Sequence, residues 1–425
     1  MKTLKIYQNE QYRRTATVQV LSVNYDASGT QIITDQTVFF PTGGGQSCDV
    51  GQFTLEDGTT FPITDVFEDG EAVVHVTPRA PEDGTDASQP GKASSLTALQ
   101  PGATVTQEID WAHRFDNMQR HLGEHILSGA FYRLYGGANK GFHMGDDYIT
   151  IDIAFPEDAP EGSAAAGSRP DRVTWEMAEA AELEVYRVIT ADLPVHIDYF
   201  GTREEAERYP LRKALAFDED ISVVTVGDPA DPADCVACCG THPSTTGQVG
   251  CLKIFKIEPN KGMSRIYFEC GERAFRIMQA RFNTLYDISG RLSAGYDELL
   301  DKYEAQQAHT EALRAELSRF RTKAMHADAA QIKASSEQVF YFDDYSVDDL
   351  FNLGKLLEKD LHGLIVLVNR PANTAILLSD GSAPCGALVK EHAAAFGGKG
   401  GGKPTSARAF FRDAEALGQF LEAIL

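Results

Sequence analysis

The sequence lacks a hydrophobic run long enough to cross a membrane. Its longest apolar run lies between Leu364 and Val368, whereas a transmembrane helix needs about 20 consecutive apolar residues. The opening segment, MKTLKIYQNEQYRRTATVQV, also lacks the continuous apolar stretch of a secretory signal. These absences predict a cytoplasmic protein that makes no contact with a membrane.

Basic residues are scarce in this chain. It contains 39 Lys and Arg against 62 Asp and Glu, which gives a net charge of -23. Because Lys and Arg supply most of the non-specific affinity for a phosphate backbone, a chain of this charge repels nucleic acid as a whole. Any contact with nucleic acid must therefore depend on a local basic patch.

The cysteines do not form an even set that disulfides could pair. There are seven of them, and Cys235, Cys238 and Cys239 crowd together shortly before His242. In a reducing compartment, clustered cysteine and histidine indicate a metal site or catalysis rather than a disulfide framework.

The length of 425 residues is too great for one ordinary hydrophobic core and predicts several domains. Alternating segments near the N-terminus predict short strands, and helices mixed with mostly antiparallel strands follow, so the fold class is α+β. The predicted domains are 1–102, a β-barrel-like unit ending in a Pro-, Asp- and Ser-rich surface loop from residue 78; 103–271, an α+β domain; 272–335, a helical arm; and 336–425, a small α/β domain. In the arm, the predicted apolar contacts are Phe282, Leu285, Leu299, Leu313, Leu317 and Phe320.

The segment His121-Leu-Gly-Glu-His125 is the strongest local signal. It lies inside a helix predicted over Asp116–Tyr135, where residues four positions apart share one face at about 5–6 Å between Cβ atoms. That spacing suits two ligands of one metal ion. Taken alone, the pair is equally compatible with a surface or packing coincidence.

A second cluster, Cys235-Val-Ala-Cys238-Cys239-Gly-Thr-His242, brings thiolate and imidazole donors into one turn. Zinc prefers such sulfur and nitrogen ligands in tetrahedral geometry. A single cysteine could simply be a buried thiol. Three cysteines beside a histidine make that interpretation less favourable. A zinc knuckle built on Cys235 and Cys238 would need a second CxxC, which the sequence does not contain.

Four segments together resemble the editing domain of alanyl-tRNA synthetase and its free-standing relatives, the alanyl-tRNA editing proteins. These segments are DWAHRFDNMQRHLGEH, PTGGGQSCDVG, VHIDYF and CCGTHPSTTGQVGCLKI. The resemblance covers nearly the whole chain and implies that 103–271 is a zinc-binding editing domain. It implies one zinc ion per chain, held by His121, His125, Cys238 and His242. Cys239 occupies a position where the family usually has glycine, so either Cys238 or Cys239 could be the thiolate ligand. The four-residue spacing to His242 favours Cys238.

The same resemblance implies further residues of the site. Glycines in the GGGQ turn would let the backbone approach a substrate, and Gln46 offers an amide donor and acceptor. His143 would stand near the side-chain hydroxyl of a bound serine, although an exposed loop position is a competing interpretation. The residues expected to bind substrate or take part in catalysis are Gly44, Gly45, Gln46, Phe142, His143, Met144 and Thr241.

The C-terminal run GGKGGGKPTSA, residues 397–407, resembles the terminal domain of alanyl-tRNA synthetase, which is also found on DHH phosphoesterases. It nearly matches a phosphate-binding P-loop, but Pro404 replaces the Ser or Thr that would hold magnesium, so nucleotide hydrolysis is not expected. The glycines and nearby cations predict contacts with RNA phosphates instead. The predicted tRNA-binding residues are Lys399, Lys403, Arg408 and Arg412, and the same region is a candidate for homodimer contact.

The resemblance implies hydrolysis of the ester that joins a wrongly attached Ser or Gly to alanine-specific tRNA. No segment resembles the aminoacylation domain, so the chain is expected to act in trans on tRNA that is already charged. One alternative is a metallopeptidase of the inverted HxxEH type with Glu124 as general base, although a glutamate at such a position is more typical of a solvated helix face. Another is an RNA-binding protein with a structural zinc ion and no catalysis.

Overall fold

The computed structural model describes residues 1–25, 29–78, 99–155, 170–216 and 218–425. These residues group into two compact units, Met1–Thr284 and Leu285–Leu425. Most of the surface loop predicted for residues 78–102 lies outside the described residues. No helix in the described ranges is both long enough and apolar enough to span a bilayer.

The first unit combines many short strands with a few helices, so the chain is of the mixed α+β class. Its strands are β1 (Leu4–Lys5), β2 (Thr15–Tyr25), β3 (Gly29–Thr34), β4 (Gln36–Thr37), β5 (Gly51–Leu55), β6 (Thr60–Ile63), β7 (Asp65–Asp69), β8 (Ala72–Pro78), β9 (Thr104–Ile109), β10 (Ala138–Met144), β11 (Ile149–Ala154), β12 (Val195–Thr202), β13 (Glu219–Val226), β14 (Asp234–Ala237), β15 (Leu252–Asn260) and β16 (Met263–Cys270). Its helices are α1 (Ile6–Asn9), α2 (Trp111–Tyr135), α3 (Trp175–Thr190), α4 (Arg203–Ala206) and the first part of α5 (Gly271–Leu292), with a 3-10 turn at Thr246–Val249.

Seven N-terminal strands form one antiparallel sheet in the order β6-β5-β9-β2-β3-β8-β7. Side chains at the start of β2 alternate between exposed and buried, which is the pattern of a strand with one face on a core. β9 lies beyond the boundary predicted at residue 102, yet it pairs with both β2 and β5 inside this sheet. The predicted strands are thus present, and closure of the sheet into a barrel stays a prediction.

Helix α2 lies at the centre of the second core of this unit. The Asp110 side chain caps it by accepting hydrogen bonds from the backbone N–H groups of Ala112 and His113, and Gly136 ends it in the left-handed conformation. The helix packs with α3 against a four-stranded sheet in the order β10-β11-β16-β15. A three-stranded sheet, β12-β13-β14, supplies the strand that leads into the cysteine cluster.

The second unit contains a long helix followed by a small α/β arrangement. Its elements are α6 (Leu299–Ala334), β17 (Val339–Phe342), α7 (Val347–Leu357), β18 (Leu364–Asn369), β19 (Thr374–Ser379), α8 (Cys385–His392), β20 (Lys399–Gly402), β21 (Ser406–Phe410) and α9 (Ala414–Ile424), with 3-10 turns at Tyr296–Glu298, Glu358–Asp360 and Ala393–Phe396. The sheet order is β17-β18-β19-β21-β20. The glycine-rich run therefore forms an edge hairpin of β20 and β21, whereas a P-loop would lead into a helix.

Two long helices, α5 and α6, occupy the segment predicted as a helical arm. Leu299 is buried there, as expected for an apolar contact. The other five apolar residues predicted to make contacts are exposed instead: Phe282, Leu285, Leu313, Leu317 and Phe320. The helices predicted for this segment are present, but the burial predicted for these five side chains is not observed.

Candidate metal centre

Four side chains from two distant segments meet at one point. His121 and His125 lie on α2, and Cys238 and His242 lie in the turn after β14. One ligand atom from each residue lies within 4.8 Å of all the others, and three of the four residues are buried. This cluster could hold a metal ion.

The separations of the donor atoms test whether a single ion would fit. Around a tetrahedral ion with bonds of about 2.0–2.1 Å to nitrogen and about 2.3 Å to sulfur, neighbouring donors lie about 3.3 Å (N···N) and about 3.6 Å (N···S) apart. The Nε2 atoms of His125 and His242 are 3.2 Å apart, and Cys238 Sγ lies 3.3 Å from His121 Nε2 and 3.7 Å from His242 Nε2. These three separations are close to those around one tetrahedral ion, and the other three donor separations are within 4.8 Å.

Two of the imidazole rings are held from behind. His121 Nδ1 is 2.9 Å from Gln46 Oε1, and His125 Nδ1 is 3.1 Å from Asp234 Oδ2. Asp234 is in turn paired with Arg212, whose Nε lies 2.5 Å from Asp234 Oδ1. Such contacts fix the tautomer in which Nε2 is free to bind a metal. Sequence reasoning missed Asp234 and Arg212, because neither carries a motif of its own.

The electrostatics of the cluster favour a thiolate at Cys238. Burial raises the pKa of this thiol, but His121, His242 and His125 outweigh burial and hold the pKa well below its ordinary value. Burial lowers the pKa of His242 to about 4. Burial also acts to lower the pKa of His125, and Cys238 with Asp234 reverses that effect and raises it to about 10. A metal ion that binds here must therefore displace a proton.

Cys239 differs from its neighbour in every respect that matters for metal binding. The residue as a whole is exposed, and partial desolvation of its thiol together with the charge of Cys238 raises its pKa to about 11. Its sulfur does not belong to the cluster, whereas Cys238 does. The geometry thus brings together the thiolate that the spacing to His242 favoured.

Glycines allow the GGGQ turn to approach Phe142 closely. Gly43 and Gln46 close a tight turn through reciprocal backbone hydrogen bonds of 3.1 and 3.0 Å. A Cβ on Gly45 would lie 2.4 Å from the ring of Phe142, and Gly45 has a φ of +83°. Phe142 in turn stacks on His121 with ring centroids 5.3 Å apart. The GGGQ turn therefore packs against the metal cluster through Phe142.

Both polar atoms of the Gln46 side chain have partners within the protein. Its Oε1 accepts from the backbone N–H of Thr241 at 3.0 Å in addition to contacting His121, and its Nε2 donates to Thr241 Oγ1 at 2.8 Å. Both residues are buried. The structure thus places them as a link between the GGGQ turn and the cysteine turn, and direct contact with a substrate stays a prediction for both.

A cavity of about 220 Å³ opens beside the cluster. Three of the predicted metal ligands, His121, His125 and Cys238, line it together with Gly44 and Phe142, whose contact with a substrate stays a prediction. Residues that sequence reasoning did not assign to a substrate site also line the cavity: Glu124, Asn139, Lys140, Gly141, Arg212, Lys213, Val236 and Ala237. The expectation of a solvated helix face for Glu124 was wrong, since its side chain is only 5% exposed.

Other predicted residues lie outside this cavity lining. His143 is exposed on β10, while Met144 is buried in the core beneath it, because neighbouring strand residues point to opposite faces. Their roles in the amino-acid pocket stay predictions. Lys399, Lys403, Arg408 and Arg412 are all exposed on the second unit, where Lys403 and Arg408 line a separate cavity of about 580 Å³.

Two families match parts of the chain. Residues 221–267 match the threonyl and alanyl tRNA synthetase second additional domain, and residues 336–425 match the DHHA1 domain. The first match contains the cysteine turn with Cys238 and His242.

Whole-chain comparisons agree with these matches. The alanyl-tRNA editing protein AlaX-L of Pyrococcus horikoshii is 26% identical over 95% of this chain and 93% of its own length. The alanine–tRNA ligases of Pyrococcus abyssi and Methanothrix thermoacetophila are 26% and 28% identical over 100% and 89% of this chain, which spans only 43% and 39% of their lengths. The predicted resemblance to a long alanyl-tRNA editing protein is confirmed.

Proposed function

We propose that this protein is a zinc-containing hydrolase that removes Ser or Gly from mischarged alanine-specific tRNA. The observation that carries the proposal is the convergence of His121, His125, Cys238 and His242 beside a small cavity. The similarity to an alanyl-tRNA editing protein along nearly the whole chain supports the substrate class. We propose that the reaction occurs in trans, on tRNA charged elsewhere, and that the protein is cytoplasmic.

The residues of the cavity suit an aminoacyl ester. At about 220 Å³ the cavity is smaller than the roughly 300–1,000 Å³ typical of sites for drug-sized ligands, which fits a small acyl group. Phe142 forms an apolar wall, and the exposed Lys140 and Lys213 place positive charge at the rim, where a terminal phosphate of tRNA would lie. Zinc held by the four ligands would place positive charge beside the ester carbonyl and help to orient it.

The donor set weighs against the peptidase alternative. An inverted zincin site leaves one coordination position for water and uses the glutamate of HxxEH as a base. Here Cys238 and His242 complete four protein donors with the two helix histidines. Four protein donors leave a tetrahedral ion no position for an attacking water. We therefore propose that the ion orients the substrate.

We further propose four domains with bounds 1–102, 103–271, 272–335 and 336–425, of which the second carries the editing site and contributes β9 to the sheet of the first. The exposed cations Lys399, Lys403, Arg408 and Arg412 are proposed to contact tRNA phosphates. Homodimer contact through the C-terminal region is part of the same proposal.

The test uses the purified full chain with Ser-tRNA(Ala), Gly-tRNA(Ala) and Ala-tRNA(Ala), together with metal analysis. We expect hydrolysis of Ser-tRNA(Ala), Gly-tRNA(Ala) or both, and no hydrolysis of Ala-tRNA(Ala). Metal analysis should find about one zinc ion per chain. The His121→Ala, His125→Ala double variant should lose both zinc and hydrolysis. Tight tRNA binding without hydrolysis would support the non-catalytic alternative, and cleavage of peptides without cleavage of esters would support the peptidase.

A further inference from the structure

Glu124 is a buried carboxylate that the cluster of metal ligands leaves unexplained. It precedes His125 on α2, is 5% exposed, and lines the same cavity as His121 and Cys238. Burial of a carboxylate is costly unless hydrogen bonds or opposite charge compensate for it. Arg212 and His125 interact electrostatically with this carboxylate and compensate part of that cost.

The carboxylate is oriented by two neutral donors on one of its oxygens. Ser128 Oγ donates to Glu124 Oε1 at 2.6 Å, and Asn139 Nδ2 donates to the same atom at 2.7 Å. Asn139 is itself fixed, because its Oδ1 accepts from the backbone N–H of Gly141 at 3.0 Å. Both hydrogen bonds of the carboxylate thus end on Oε1, which leaves Oε2 for a ligand of the cavity.

Glu124 supplies negative charge to a cavity that cations also line. Among the described residues that line the cavity, Glu124 is the one carboxylate, while Lys140, Arg212 and Lys213 are cations. Arg212 pairs with Asp234, which lies outside this lining, and its guanidinium also interacts electrostatically with Glu124. A cationic group that enters the cavity would meet one anionic acceptor, and a charge-assisted hydrogen bond to it would be stronger than a neutral one.

We propose that Glu124 binds the α-ammonium group of the aminoacyl ester and so selects esters of free amino acids. This inference rests on the proposed deacylase function, because an aminoacyl ester carries its α-ammonium one carbon away from the carbonyl that must react. The carboxylate holds the ammonium, and the ester carbonyl then lies towards the ligands on α2. An ester whose α-nitrogen is acylated, as in a peptidyl-tRNA, presents no ammonium and is rejected.

The experiment compares two matched amide-linked analogues of the tRNA terminus on the zinc-loaded full chain. One is seryl-3′-amino-3′-deoxyadenosine, and the other carries 2,3-dihydroxypropanoyl, in which a hydroxyl replaces the α-ammonium. Glu124→Gln is nearly isosteric and keeps an oxygen for Ser128 and Asn139. The matched control is Glu182→Gln, a mostly buried carboxylate on α3 that contacts Lys253 outside the cavity.

We expect the unmodified protein to bind the seryl analogue about 10- to 100-fold more tightly than the hydroxy analogue, as for a hydrogen bond to a charged group. Glu124→Gln should lose that preference by weakening seryl binding alone, with zinc content unchanged, and Glu182→Gln should keep it. Equal affinity of the unmodified protein for both analogues would overturn the inference even if the variant failed to fold.

The remaining outcomes separate this inference from the proposed function. Unchanged analogue binding with a lower kcat on Ser-tRNA(Ala) would overturn ammonium binding in favour of proton transfer by Glu124. Equal weakening of both analogues would make the residue structural. Failure of the unmodified protein both to bind the seryl analogue and to hydrolyse Ser-tRNA(Ala) would overturn the proposed function itself.

Discussion

At the scale of single residues, Asp234 links the metal cluster to the protein behind it. It contacts His125 Nδ1 and pairs with Arg212, and all three side chains are mostly or fully buried. Burial raises the pKa of this carboxyl, but Arg212 and His125 outweigh burial and hold the pKa below its ordinary value. Asp234 is therefore an anion that orients the imidazole and increases its basicity.

Asp234→Asn should weaken metal binding by about 10- to 100-fold, which is typical when a partner behind a histidine ligand is removed. The measurement is competition for zinc against a chelator of known affinity. Asp228→Asn, an exposed carboxylate whose Oδ1 accepts from the Ala230 N–H, is the control and should bind zinc normally. An unchanged zinc affinity in Asp234→Asn would show that His125 needs no such support.

Gly240 allows the cysteine turn to pass directly over His121. A Cβ at this position would lie 2.2 Å from His121 Cε1 and 2.3 Å from Nδ1. The His121 ring cannot move easily, because Gln46 contacts its Nδ1 and Cys238 contacts its Nε2. Gly240→Ala should therefore displace the ring or the turn and weaken zinc binding. We expect a loss of affinity of at least about tenfold, as when a supporting contact of a ligand is removed. The measurement is the zinc content of the protein after dialysis.

Gly201→Ala is the matched control, since a Cβ there would meet no atom within 4 Å. It should retain zinc like the unmodified protein. Full zinc occupancy in Gly240→Ala would mean that the turn relaxes without cost to the cluster.

The resemblance read from the residues predicted the four donors of the cluster, but not the contacts that support them. Two ligand pairs with four-residue spacing identified all four donors that the structure brings together. The supporting roles of Gln46 and Asp234, and the burial of Glu124, depend on contacts between segments more than 100 residues apart or on a neighbouring strand. No local pattern encodes such contacts.

At the scale of elements, a buried ion pair fixes the start of α2 against the segment that follows the GGGQ turn. The Nε of Arg114 lies 2.8 and 2.9 Å from the two carboxylate oxygens of Asp49, and both side chains are fully buried. Arg114 also donates to the backbone carbonyls of Gln11 and Val38 at 2.9 and 2.7 Å. Asp49 Oδ2 accepts from the backbone N–H of Phe40 at 2.6 Å. The pair thus ties α2, which carries His121, to the chain on both sides of the GGGQ turn.

Asp49→Ala should destabilise the first unit by about 3–5 kcal/mol, because it leaves a buried guanidinium without its counter-charge. Urea unfolding followed by tryptophan fluorescence would measure the change in the free energy of unfolding. Glu71→Ala, which removes the exposed pair with Lys2, is the control and should cause no resolvable change. A loss of less than about 1 kcal/mol in Asp49→Ala would show that the two segments are held mainly by apolar packing.

Local patterns predicted the elements better than their pairing. Helical spacing predicted α2 from Asp116, and the cap at Asp110 places the observed start at Trp111. The glycine pair at residues 136 and 137 correctly predicted its end. The pairing of β11 with β16, however, joins strands more than 100 residues apart, and strand patterns do not specify partners at that distance.

At the scale of the whole molecule, His75 makes stability depend on pH. It is fully buried in the N-terminal sheet between Thr37 and the carbonyl of Ile32, and burial lowers its pKa to about 4. An unfolded chain binds a proton at this side chain below about pH 6.5, whereas the folded chain stays neutral there. Stability from this residue is therefore complete above about pH 6.5 and falls as the pH is lowered towards 4.

Between pH 7 and pH 5 this residue should account for a loss of about 2 kcal/mol in the free energy of unfolding. Urea unfolding of zinc-loaded protein at both values measures it. His75→Gln keeps a hydrogen-bonding side chain but has no proton to gain, so it should lose less stability over the same range. The same pH dependence in both proteins would assign the effect to other groups.

The negative charge of the whole chain sets the condition for tRNA binding. With a net charge of -23, the protein can approach tRNA only where cations outweigh the surrounding carboxylates. The simultaneous change of Lys399, Lys403, Arg408 and Arg412 to Ala should therefore weaken tRNA binding at least about tenfold at low salt and flatten its salt dependence, because fewer counterions are released. Hydrolysis of a minimal seryl ester should stay unchanged, since these residues lie outside the cavity lining beside the metal ligands.

A second variant separates a local patch from bulk charge. It removes four exposed cations of the first unit by changing Lys2, Arg187, Lys261 and Arg276 to Ala, and it has the same net charge as the first variant. If position matters, tRNA affinity and its salt dependence change only in the C-terminal variant. Equal losses in both variants would mean that total charge alone governs the approach of tRNA, and unchanged affinity in both would favour homodimer contact as the role of the C-terminal region.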